Sequence, residues 1–379
     1  MNSNHSVINW ISVLCLMLLG SIQVAAAAET SGLKKINLNH GDIRYLGSNY
    51  VRHHDTQVSF TRHSQKVLKL KKQILNFNAE KAQTTTGITI NFATDSNRIQ
   101  LRFLALPGIN RGSEFAIYEN NEFIQSVKFK AKDKVMTLDF NSKTKQVSEY
   151  QITLPSLSNV ALTALEIDND SKLASLKGKR NAKYIAMGDS ITHGVGQSSA
   201  THLTYPYLLA EQLNLELYNL AVGGGKVSVP TADMLSDFDD VSVMTLLIGY
   251  NDWQAPNADI NTFQKRYQIM LNTMRANQPK AEIFAITPLF TKKKLSKVGN
   301  IPITDYRKVI KKIINKMILS GDDKLHLIEG DTITSSADLR HDKPEDPVHL
   351  CVEGAASLAT KLEQIISKTN ISNKGAISR

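Results

Sequence analysis

Two rhythms divide the 379-residue chain. From about residue 36 to 167, short runs alternate apolar and polar positions: VSFTR, GITINFAT, RIQLRFLAL, EFAIYEN, FIQSVKF, VMTLDF and YQITL. Turn signals such as TDSN and ENNE separate several of them. A period of two sends successive side chains to opposite faces of a strand. Evenly spaced runs of that kind predict an antiparallel β-sandwich. No helical pattern interrupts it.

A polar, charged stretch follows, DNDSKLASLKGKRN at 168–181, and reads as a link. Beyond it the pattern becomes strand, loop, helix. Apolar runs KYIAM (183–187), ELYNLA (216–221), VMTLLIG (243–249), EIFAIT (282–287) and LHLIE (325–329) predict five strands. Between Tyr306 and Ile318 apolar residues recur at helical spacing, with lysines at 308, 311, 312 and 316, which predicts a helix with one buried stripe. TYPYLLAEQL has Thr204 and Pro206 near its start, as a helix N-terminus prefers, and EGAASLATKLEQII closes the chain with a small, apolar helix face. Alternating β and α predicts a parallel sheet with right-handed crossovers, whose ligands bind beyond the carboxyl ends of the strands. The expected organisation is a sandwich over 29–172, with glycan binding or a structural cover as its role, and an α/β domain over 173–379.

Residues 1–28 stand apart. An apolar run from Val7 to Leu19 precedes QVAAAAET, the form of a secretory signal peptide cleaved after Ala28. The first ten residues contain no Lys or Arg, so an uncleaved anchor is the rival, although the run is short of the ~20 residues a span needs. No later segment is long and apolar enough to span. An exported protein, periplasmic or secreted and without a membrane span once the signal is removed, is therefore expected. Cys351 is the one cysteine after the signal, so no internal disulfide can form. A single cysteine is compatible with a bacterial periplasm or exterior.

Net charge is +10, with basic clusters KLKK (69–72), KFKAKDK (128–134) and TKKKLSK (291–297). These suit either an acidic partner, such as an anionic polysaccharide or a membrane surface, or plain solvated surface. No aromatics interleave them and no nucleic-acid motif appears, so no nucleic-acid partner is expected.

Chemistry concentrates on four loops. Gly188-Asp189-Ser190 follows the first α/β strand, VGGGK (222–226) the second and GYNDW (249–253) the third; DPVHL (346–350) precedes the last helix. The first three open at one sheet edge, and the fourth could return a histidine there. A serine hydroxyl needs a base to become a nucleophile. An unperturbed imidazole changes charge near neutrality, so His349 could be that base, and Asp346, three residues earlier, could hold its tautomer. The backbone N–H of Ser190, a glycine N–H from the second loop and the amide of Asn251 could stabilise an oxyanion.

GDSITHG, NLAVGGG, GYND and DPVH…EG together resemble the four blocks of SGNH (GDSL-type) hydrolases, over about 183 to 366. The resemblance implies a flavodoxin-like three-layer α/β/α sandwich with a five-stranded parallel sheet and no cofactor; no His/Cys/Asp cluster has metal-ligand spacing, so no metal is expected. It makes Ser190 the nucleophile and first oxyanion donor, Gly224 and Asn251 the other donors, His349 the base and Asp346 its partner. Some relatives use a Ser–His dyad without the acid. Leu350 stands where the family often has proline, and AVGGG replaces the commoner GVSG, leaving Gly223 as a rival donor. A sandwich ahead of such a domain resembles two-domain carbohydrate O-acetyl esterases with a jelly-roll module. It is also similar to acyltransferase-like members.

The expected activity is thus a serine esterase on O-acyl, above all O-acetyl, groups of carbohydrates. The alternatives are an acyltransferase, an esterase on another small ester, and a non-catalytic carbohydrate-binding protein. Trp253 either walls the acyl or sugar site or lies in the core. Asp189 is expected to stabilise the turn and helix start, and Asp252 to anchor the Asn251 loop. Cys351 reads as a small buried hydrophobe. His341 lies near the base, and His193, close to Ser190, is expected on the flank of the exit turn.

Overall fold

The period-two runs of the first half form two six-stranded antiparallel sheets in a computed structural model that describes residues 32–178 and 182–369. The expected signal peptide lies outside the described residues. One sheet runs Tyr50–His53, Val58–Thr61, Ser158–Asp168, Arg98–Asn110, Val135–Asn141, with Leu33–Lys35 also on Ser158–Asp168. The other runs Leu173–Ala174, Thr89–Thr94, Ser148–Thr153, Gly112–Glu119, Glu122–Lys130, with Arg44–Leu46 on Thr89–Thr94. Their inward positions share one core, including Phe60, Leu101 and Phe103 from the first sheet and Ile90, Phe92 and Phe115 from the second. The rings of Phe103 and Phe115 meet across it with centroids 4.5 Å apart.

Two features differ from the sequence expectation. The stretch between Val58–Thr61 and Thr89–Thr94 is helical, in three single turns, Gln65–Leu68, Lys72–Leu75 and Ala79–Ala82. Four residues are too few to display a 3.6-residue period, so pattern reading misses them. Local capping starts the first and third: Ser64 Oγ accepts from Val67 N–H, and Asn78 Oδ1 from Glu80 N–H. Their apolar residues Val67, Leu75, Phe77 and Ala82 leave the sandwich core and pack into the α/β core. Within the expected link, Leu173–Ala174 pairs with Thr89–Thr94 as a short strand, so this part of the stretch is sheet. From Leu33 onward the chain forms one compact unit.

The five α/β strands are Lys183–Gly188, Glu216–Asn219, Val241–Leu247, Glu282–Ile286 and Leu325–Ile328, all parallel, in spatial order second, first, third, fourth, fifth. This is the doubly wound order 2-1-3-4-5, whose switch point lies between the first and third strands. Alternate side chains of the first strand enter opposite cores. Ile185 and Met187 face helices Ile260–Asn277 and Ile303–Leu319; Tyr184 and Ala186 face Tyr205–Leu213 and Val352–Ser367. Burial on both faces is why these strands read as unbroken apolar runs. The result is the three-layer α/β/α sandwich expected from the four blocks. Gly188 lies level with Leu247 and Ala186 with Asn219, so the loops after the first three strands leave the sheet side by side. Among the described residues no helix is long and apolar enough to cross a membrane.

Candidate active site

The first strand ends where a side chain has no room. A Cβ on Gly188 would lie 2.2 Å from Thr192 Oγ1 and 2.8 Å from the carbonyl oxygen of Leu247. The chain can therefore turn tightly into the one-turn helix Ser190–His193, which Asp189 caps by accepting from Ile191 N–H at 3.1 Å. Ser190 occupies the first helical position, where the backbone N–H has no intrahelical acceptor.

His349 reaches Ser190 from far along the chain: its Nε2 lies 2.8 Å from Ser190 Oγ. Its Nδ1 lies 2.8 and 3.0 Å from the two carboxylate oxygens of Asp346. The segment Asp346-Pro347-Val348-His349 folds back on itself, with Asp346 Oδ1 accepting from the N–H groups of Val348 and His349. Burial works against ionisation of Asp346. The two N–H groups and the imidazole outweigh it and hold the carboxyl below its usual range. A carboxylate can only accept, so it fixes the histidine proton on Nδ1 and leaves the Nε2 lone pair facing the serine hydroxyl. The loop is pinned from behind by Arg340 N–H on the carbonyl of His349 and by Gln197 Nε2 on that of Leu350.

The second loop makes a turn from Val222 to Gly225, closed by Gly225 N–H on the carbonyl of Val222 at 2.8 Å. Gly224 sits in it at φ +78, a conformation that favours glycine. Of the two rival glycines, Gly223 already spends its N–H on His193 Nδ1, at 2.9 Å. Gly224 N–H has no acceptor among the described residues. From the third loop, Asn251 donates one amide hydrogen to the carbonyl of Gly225 at 3.0 Å, leaving the other for a ligand. Asp252 accepts from Val227 N–H and so ties the third loop to the second.

Ser190, Gly223, Gly224, Asn251 and His349 line one cavity of about 250 Å³. Trp253 does not. It is fully buried, and its indole N–H donates to the carbonyl of Ile301 at 2.7 Å, so its role as a substrate wall is corrected to core packing. His341 is exposed and outside the lining. Cys351 is buried at the start of the last helix, where its sulfur accepts from Gly354 N–H; burial pushes its thiol up.

Sequence reading missed what stands behind and opposite the serine. His193 is no flank residue: it is buried, with Nε2 2.7 Å from Thr84 Oγ1 while Nδ1 accepts from Gly223. Burial, then the charge of Arg62, pushes its pKa well below the usual value, so it stays neutral, donating through Nε2 and accepting at Nδ1. Arg62, 1% exposed, donates to the carbonyls of Thr84, Lys81, Asn219 and Ala221. Lys81, Ile109, Arg111 and Leu157, all from the N-terminal half, complete the cavity wall. No local pattern marks them, because the contacts of Arg62, Lys81 and Thr84 with the α/β loops span more than a hundred positions.

Residues 186–356 match the GDSL-like Lipase/Acylhydrolase family. The α/β domain belongs to this family, which is the SGNH family that the four blocks resemble, and the chain is a carboxylic ester hydrolase. Solved structures share the fold well beyond that segment. The salicylyl-acyltransferase SsfX3 from a tetracycline biosynthetic pathway superposes with TM-score 0.77 at 18% identity, covering 89% of this chain and 98% of its own. A putative GDSL-like lipase from Bacteroides ovatus gives 0.68 at 17%, again covering 89% and 98%. A family two carbohydrate esterase from Clostridium thermocellum, in complex with cellohexaose, gives 0.63 at 15%, covering 86% and 98%. Coverage this wide extends the likeness to the sandwich. Comparison with curated protein sequences gives no match.

Proposed function

We propose that the chain is an exported serine esterase that removes O-acetyl groups from carbohydrates. The observation that carries the catalytic part is the line Asp346–His349–Ser190, with carboxylate on Nδ1 and hydroxyl on Nε2. In this reading Ser190 Oγ attacks the ester carbonyl as its proton passes to His349 Nε2. The carbonyl oxygen becomes an oxyanion held by Ser190 N–H, Gly224 N–H and the free amide hydrogen of Asn251. The intermediate collapses, the C–O bond to the sugar breaks, and His349 gives the departing oxygen its proton. Water, deprotonated by His349, then attacks the acyl-enzyme; acetate leaves and Ser190 regains its proton.

The carbohydrate part rests on the shared architecture with a carbohydrate esterase, together with a cavity whose wall includes Ile109, Arg111 and Leu157 of the sandwich. Export rests on the apolar run before QVAAAAET. The sandwich over 29–172 is proposed to position glycan at the site of the domain over 173–379. An acetate-release screen across acetylated polysaccharides tests this function. Release from at least one supports it, and cleavage of small activated esters alone contradicts the carbohydrate part. The likeness to an acyltransferase favours a second reading, in which an acceptor hydroxyl replaces water. Acylated product formed in the presence of acceptor alcohols would distinguish it.

A further inference from the structure

The cavity around Ser190 has an unequal charge. Its lining includes Lys81 and Arg111, contributed by the N-terminal half, and no aspartate or glutamate. Neither cation is paired with a carboxylate among the described residues. Lys81 Nζ donates to the carbonyl of Gly223 at 3.2 Å, and the Arg111 guanidinium has no hydrogen bond within the described residues. Five other arginines do pair with carboxylates: Arg98 with Asp139, Arg102 with Glu166, Arg275 with Asp322, Arg307 with Asp331, Arg340 with Asp342. Burial, then the nearby charge of Arg111, lowers the pKa of Lys81, so the two cations feel each other with no anion between them.

Two unpaired like charges on one concave wall repel each other, and the cavity focuses their field on whatever enters. A neutral sugar acetate gives this arrangement no counter-charge. An anion does. A guanidinium matches the two oxygens of a carboxylate or sulfate, and an ammonium adds a point charge. Ile109, Leu157 and Val195 supply apolar surface beside them for a sugar face.

We infer that Lys81 and Arg111 select an anionic substrate: an O-acetylated sugar that also bears a carboxylate or sulfate. This inference rests on the esterase reading above and narrows its substrate class.

Acetate release by the full chain tests it on four matched substrates: acetylated methyl glucuronoside, its carboxyl methyl ester, acetylated methyl glucoside 6-sulfate and acetylated methyl glucoside. The expected result is a kcat/KM about tenfold or more higher for one or both anionic compounds than for the two neutral ones. That advantage shrinks as salt rises. Arg111→Gln should collapse the anionic-to-neutral ratio towards one, whatever it does to absolute rates. Equal kcat/KM on all four, or a ratio that survives both Arg111→Gln and Lys81→Gln, overturns the inference and leaves the esterase reading standing. No acetate from any sugar, with hydrolysis of 4-nitrophenyl acetate intact, removes the carbohydrate reading and this inference with it.

Discussion

Arg62 donates from one guanidinium nitrogen to two carbonyls of the second loop, Asn219 at 2.6 Å and Ala221 at 2.7 Å. It leaves the sandwich just after strand Val58–Thr61 and meets the α/β sheet at the carboxyl end of its second strand. Its charge has no carboxylate partner; backbone carbonyls and the hydroxyl of Thr84 accept from it, and burial brings its pKa down to about 9. The N-terminal half thus holds the loop that carries Gly224.

Arg62→Met should therefore lower both stability and turnover. It strips donors from buried carbonyls, each worth about 1–3 kcal/mol when left unsatisfied. The checks are the thermal midpoint and kcat on an activated acetate ester. A folded variant with unchanged kcat would mean that the second loop keeps its shape without this contact.

Asp346→Asn tests the tautomer argument. The amide cannot hold the imidazole proton on Nδ1 as a carboxylate does, so kcat should fall by about 10²–10⁴. It should nonetheless exceed the activity left in His349→Ala, which has no base. Equal kcat in wild type and Asp346→Asn would make the working set a Ser–His dyad.

Asn251→Ala tests the oxyanion assignment. Loss of one donor should reduce kcat by about 10²–10³ with little change in KM. A rise in KM alone would assign Asn251 to ground-state binding instead.

Two buried carboxyls set a pH prediction for stability. Burial, chiefly, pushes Asp189 up to about 7 and Asp252 up to about 6, and the charge of Asp252 adds to the shift at Asp189. Unfolded, both would titrate near ~4. Between about pH 4 and 7 the folded state holds protons that the unfolded chain releases, so their contribution to stability is full below pH 4 and is lost as pH rises. Asp189→Asn removes one such group. The difference in urea midpoint between wild type and variant should change across this window, with wild type losing ground as pH rises. A constant difference from pH 4 to 8 would contradict the shift at Asp189.

The sequence made some of this legible and hid the rest for physical reasons. Strands buried on both faces, such as Lys183–Gly188, read as apolar runs, and their exits into glycine and polar residues mark the rim where ligands bind. Ser190, Gly224 and Asn251 could be named because each follows such a strand exit, and Asp346 and His349 because DPVH before the last helix resembles the fourth family block. The one-turn helices over 65–82 were not legible, since four residues carry no period. Nor was the cavity's second wall. The contacts from Thr84 to His193 and from Arg62 to Asn219 span 109 and 157 positions and leave no trace in local pattern. Trp253 shows the same limit from the other side. Its place two residues after Asn251 suited a site wall, yet only the three-dimensional packing against Ile301 decides where an indole goes.

The most direct test of the central claim is kcat/KM for acetate release from an activated acetate ester by wild type and Ser190→Ala, with the wild-type acyl-enzyme trapped and sequenced. The account predicts turnover well above background in wild type, an acetyl group on the Ser190 peptide, and a rate in Ser190→Ala reduced to near background. Equal rates in the two proteins, or an acetyl group carried by another residue, would contradict it.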